Sequence, residues 1–132
     1  MKTKTLRQTA TFHAAPEEVY DLIMNARKHS GFTGGKVKMP TTVNGNFEIF
    51  DGYCRGYNIE LDKGKKIVQA WHFEEDGWPE NHFSVCTFRF KKSGKGTLLT
   101  FSQIGIPEHK YEELKQGWKE HYWEPMKQYL QS

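Results

Sequence analysis

Residues 108–131 read EHKYEELKQGWKEHYWEPMKQYLQ, and the fold follows from how this stretch is read. At 100° per residue, Tyr111, Leu114, Trp118, Tyr122, Met126 and Tyr129 fall on one stripe roughly 120° wide. Glu113, Glu120, Glu124 and Lys127 take the opposite side. The pattern predicts an amphipathic helix about 35 Å long. Each buried aromatic removes roughly 150–250 Å² from water, so this stripe needs a broad apolar partner. Two residues break the rules for a helix interior. Gly117 costs about 1 kcal/mol relative to Ala, and Pro125 removes the bond to the His121 carbonyl, at about 3 kcal/mol if uncompensated. Two readings stand: a packing site at Gly117 with a kink at Pro125, or a helix shaped to leave room for a ligand.

Upstream, the signals are those of strands. Thr3–Phe12 alternates, with Leu6, Ala10 and Phe12 on one side. Pro16, followed by Glu17 and Glu18, opens a helix running to about Asn25, because proline suits the first helical position and acids suit the positive dipole end. A second short helix is expected from about Arg27 to Phe32. Val37 and Met39 mark a short strand, and Phe47 and Ile49 another, ending at Asp51-Gly52, a dipeptide favoured in two-residue hairpin turns. The return strand runs from Tyr53 to Leu61, with Gly56 a bulge or a point of close approach. Ile67, Gln69, Trp71 and Phe73 share one strand face. Ser84, Cys86, Phe88 and Phe90 share the next, and Leu99, Phe101 and Gln103 the last. This order predicts an α+β fold: a curved antiparallel sheet of about six to seven strands wrapped around the C-terminal helix, with two short helices after the first strand.

The chain has 132 residues, enough for one domain (1–132) with a real core. Nineteen basic and sixteen acidic residues are well mixed, giving +3, which is a solvated surface and not a nucleic-acid footprint. No apolar run reaches membrane-spanning length, and 1–12 lacks the features of an export signal. Cys54 and Cys86 have no paired spacing and are expected to be reduced core thiols in a cytoplasmic protein.

No catalytic constellation emerges. None of the serines sits in a nucleophile elbow. The six histidines show no helical zinc spacing, and the single pair His121 and Glu124 is too little for a metal site. His72 and His82 flank one loop, where a rim or turn role is expected. No cofactor is expected. With the inward strand faces chosen above, the space between helix and sheet is lined by Phe47, Ile49, Trp71, Phe73, Phe88 and Phe101, facing Trp118 and Tyr122. Gln69 and Gln103 add polar groups, a lining suited to an apolar ligand with a polar end.

Gly45-Asn46-Phe47 with Asp51-Gly52, 66–69 leading to Trp71, 78–84, Gly105-Ile106-Pro107, and Gly117-Trp118 with Tyr122 together resemble one known domain. It is the C-terminal domain of activators of the heat-shock protein 90 ATPase, within the START-like (SRPBCC) helix-grip superfamily. The resemblance spans nearly the whole chain and implies the helix-grip fold. It brings no catalytic residue. With the first strand beginning near Met1, a stand-alone form without the activators' N-terminal domain is expected. The expected function is a non-catalytic module holding a hydrophobic or amphipathic small molecule between helix and sheet. The alternative is a co-chaperone-like protein that binds a heat-shock protein 90 homologue and modulates its ATPase.

Overall fold

Alternation of apolar and polar residues along each strand gives a sheet with one dry face, and the aromatic stripe of the last helix closes it. The computed structural model describes residues 1–131; Ser132, the end of the expected domain, lies outside the described residues. Seven antiparallel strands run in the order β1-β7-β6-β5-β4-β3-β2. They are β1 (Thr3–Phe12), β2 (Val37–Lys38), β3 (Asn46–Ile49), β4 (Cys54–Asp62), β5 (Lys66–Phe73), β6 (Ser84–Ser93) and β7 (Gly96–Pro107). Helices α1 (Pro16–Met24) and α2 (Ala26–Thr33) carry the chain from one sheet edge to the other. Asn25 caps α2 by accepting from the Lys28 backbone N–H, and left-handed Gly34 ends it. The architecture is the expected one. No helix among the described residues is long and apolar enough to cross a membrane.

The C-terminal rod departs from a uniform α-helix. After a 3₁₀ turn (Glu108–Lys110), α3 (Tyr111–Trp118) gives way to a π turn (Lys119–Trp123) before α4 (Glu124–Gln131). The Glu124 N–H reaches the Lys119 carbonyl, five residues back. This wider turn lies directly ahead of Pro125, which has no N–H to offer and would crowd the carbonyl four residues earlier. The extra residue also turns Trp123 inward, beside Tyr122; each is 4% exposed. A regular 100° helix places Trp123 off the stripe, which is why periodicity leaves it out.

Trp118 is the main rivet between rod and sheet. Its ring packs on Phe101 at 4.4 Å and Trp71 at 5.1 Å between centroids, and its indole N–H donates to Gln103 Oε1 at 2.8 Å. Trp123 packs on Phe101 and donates to Gln8 Oε1, while the Gln8 amide donates to the Lys115 carbonyl. On the other side, buried His29 of α2 meets the rod. Its Nδ1 lies 2.9 Å from the Ile23 carbonyl, which only accepts, so the proton sits there. Nε2 is therefore left to accept from the Tyr122 hydroxyl at 2.7 Å.

Two local expectations change. The turn after β3 is a four-residue loop, 50–53, and not a two-residue Asp51-Gly52 turn, because Ile49 pairs with Cys54. Phe50, Asp51 and Gly52 all have positive φ (56°, 57° and 95°), a conformation costly for a phenylalanine. Gly56 marks a close approach and not a bulge: a Cβ there would strike the Ala70 carbonyl, while the register shift falls between Asn58 and Glu60.

Two outcomes follow from this packing. Gln103→Leu strands the Trp118 indole N–H, while the Ser84 hydroxyl keeps its bond to the Trp71 carbonyl, so urea unfolding will show a loss of about 1–3 kcal/mol, and Trp118→Phe will cost less in that background than alone. Burial lowers the His29 pKa from 6.5 to about 4. The unfolded chain therefore takes up that proton first. Stability is full above about pH 6.5 and falls as pH drops toward 4, by about 3 kcal/mol at about 1.4 per pKa unit. Unfolding free energies measured across that window will show a shallower fall for His29→Gln.

Candidate functional site

Between the rod and the sheet, most of the space is filled. Phe47, Ile49, Phe88 and Phe101 are at most 1% exposed and pack as core. Gln69 and Gln103 are fully buried, and their amides are committed to the protein. Gln69 accepts from the Trp71 indole N–H and donates to Asn58 Oδ1, each at 2.9 Å; Asn58 in turn donates to the carbonyls of Pro40 and Thr42. Gln103 accepts from Trp118 and donates to Ser84 Oγ. Among the described residues, no buried side-chain N or O atom lacks a partner. These six expected lining residues back the wall and do not line the cleft beside Trp118.

The open space lies to one side. A cleft of about 560 Å³ runs between α3 with its π turn and the 50–54 end of β3 and β4. Trp71, Phe73, Trp118 and Tyr122, the other four expected residues, border it. Phe50, Tyr53, Cys54 and Leu114 complete its apolar surface. Gly117 is the opening in the helix wall: a Cβ built there meets nothing within 4 Å. Gly117 is therefore not a point of close packing. The glycine keeps α3 narrow where it borders the cleft beside Trp118.

The rim is polar. Glu75, Glu113, Gln116, Glu120 and His121 border the mouth. The Tyr53 hydroxyl donates to Glu75 Oε2 at 2.7 Å, and burial together with that carboxylate holds its pKa up. Lys110 reaches Glu75 at 3.5 Å and Glu113 at 3.4 Å from outside the lining. Burial also raises the Cys54 thiol and the Tyr122 hydroxyl, so both stay protonated near neutrality. Both cysteines are free and buried.

Phe50 and Tyr53 escape sequence reading because a two-residue turn would point them elsewhere. Phe50 is aimed at the cleft by its left-handed backbone, edge-on to His121 at 6.2 Å. His72 and His82 serve the fold: His72 Nδ1 donates to the His82 carbonyl, and His82 Nε2 to that of Gly105. No group of three His, Cys, Asp or Glu side chains among the described residues is placed to hold a metal ion.

Solved structures share this fold. An HSP90 activator from Plasmodium falciparum superposes with a TM-score of 0.81 at 24% identity, covering 89% of both chains. A protein from Mesorhizobium loti gives 0.84 at 19% identity, covering 97% of each. At these identities the likeness shows the fold. Sequence relatives go further. The chain is 34% identical over 118 residues to the activator of 90 kDa heat shock protein ATPase homolog of Dictyostelium discoideum, covering 89% of this chain and 30% of that one. It is 33% identical over 124 residues to homolog 1 of Homo sapiens, covering 94% and 36%. The chain thus spans about a third of the length of these relatives. Residues 13–131 match the model of the Activator of Hsp90 ATPase homolog 1-like protein family, and the chain belongs to that family.

Proposed function

We propose that the chain is a non-catalytic binding module that takes a hydrophobic or amphipathic small molecule into the cleft beside Trp118. The observation that carries this reading is the cleft itself, about 560 Å³ of aromatic-walled space kept open by Gly117. Its size lies within the range of small-molecule sites, and its few polar groups gather at the mouth. The chemistry inside supports binding without turnover. Cys54, the thiol at the wall, is held protonated by burial, and the Tyr53 hydroxyl is bonded to Glu75. Two unpaired buried thiols fit a reducing compartment, and we place the protein in the cytoplasm.

A second reading rests on the named relatives: contact with a heat-shock protein 90 chaperone. Identity of 33% along 94% of this chain supports it. The matched region is only part of the human activator, so ATPase stimulation by this segment is a separate question from docking.

Titration with neutral N-phenyl-1-naphthylamine will shift the Trp71 and Trp118 indole N–H resonances. Gly117→Leu sets its Cβ in open space and extends a side chain from the cleft lining. It should stay folded, with helix propensity improved by roughly 0.5–1 kcal/mol, and weaken binding at least about tenfold (~1.4 kcal/mol). Equal binding by this variant, or no shift with a broad panel of neutral and charged probes, removes the small-molecule reading. For the chaperone reading, a pull-down with a heat-shock protein 90 chaperone and a steady-state ATPase assay will show association; none at tens of micromolar removes it.

A further inference from the structure

The walls of the cleft say what charge its occupant carries. Every carboxylate at the mouth, Glu75, Glu113 and Glu120, borders the same space, and no lysine or arginine does. Glu75 is the deepest of them, with its side chain 18% exposed; Glu113 is 64% exposed. Lys110 neutralises part of this charge by bridging Glu75 and Glu113, while Glu120 accepts from the Gln116 amide at 2.6 Å. Below the rim the surface is aromatic. The faces of Phe50, Trp71, Phe73, Trp118 and Tyr122 carry the negative side of the ring quadrupole, and such faces attract cations.

An anionic amphiphile entering here meets three acids, with His121 the one basic side chain on the lining and Lys110 already paired to two of the acids. A neutral one gains only from the apolar walls. A molecule with a positive head gains from both, its body on the rings and its head among the carboxylates. Charge complementarity of this kind sets which partner is accepted and which is refused. We infer that the cleft selects a cationic amphiphile: a flat apolar body about the size of two or three fused rings, carrying an ammonium or amidinium group that stays at the Glu113 and Glu120 end. This rests on the cleft being a binding site, and it names the class of ligand that the site takes.

Three probes with one body and different heads test it: 9-anthracenylmethylammonium, 9-anthracenemethanol and 9-anthracenecarboxylate. Each is titrated into the purified protein at low salt, following indole N–H shifts and probe fluorescence. The ammonium is expected to bind about fivefold or more tighter than the alcohol, as two or three exposed charge contacts supply, and the carboxylate weakest. Added salt at about 0.5 M should narrow the gap. The exposed double variant Glu113→Gln/Glu120→Gln should lose the preference for the ammonium while keeping the alcohol's affinity. If the alcohol binds and the ammonium gains nothing over it, or the double variant leaves the ranking intact, the charge selection is overturned and the cleft reading survives. If none of the three binds, both fall together.

Discussion

One indole holds this molecule together. Trp118 lies where the terminal rod meets the sheet, and it satisfies two demands at once. Its ring fills the gap between Trp71 and Phe101, and its N–H finds a fully buried acceptor in Gln103. A buried donor without a partner costs about 1–3 kcal/mol, so the indole fixes not only that the rod docks but at what height and rotation. From Gln103 the constraint passes to Ser84 and the Trp71 carbonyl. Trp71 makes its own bond to Gln69, and so reaches Asn58 and the loop after β2. Polar atoms that a sequence reader assigns to a ligand are used instead to hold two tryptophans still. A rigid wall is the result, and a wall that does not move lets a cleft stay open without collapsing.

How far this could be read from the residues depends on what kind of regularity each one obeys. Strand alternation and the 3.6-residue stripe are repeating signals, and they locate the sheet, the two short helices and the terminal rod. Phe47, Ile49, Phe88 and Phe101 point inward as alternation demands. Alternation has nothing to say about which inward residues touch each other and which border a gap. That is settled by the shape of the rod. Irregular geometry is likewise beyond a periodic signal. The π turn that brings in Trp123 follows from Pro125, yet the sequence permits a kink equally well. Phe50 faces the cleft through a left-handed backbone, which residue preference argues against.

Family membership and cleft bear on different questions. The family match and the activator relatives speak for the whole fold, and they carry the names of proteins about three times as long. The cleft is a property of this chain, with a glycine on its helical wall where a Cβ would meet open space. The two fit together without being the same statement. A domain that docks on a chaperone has no need of an aromatic hollow with an acidic lip, and a domain that holds a small molecule has no need of a chaperone. Both surfaces can coexist on a scaffold of this kind, since function resides in sites and not in the fold that carries them.

The wide turn at Lys119–Trp123 has a consequence for anyone who compares relatives. A helix with one surplus residue is out of step with a regular one from that point onward, even where the letters on both sides agree. Two family members, one with the insertion and one without, line up cleanly through Trp118 and then differ by a single place, so a matching letter beyond it is turned about 100° around the axis. Equivalences past that point belong to the direction a side chain faces, not to its place in a count.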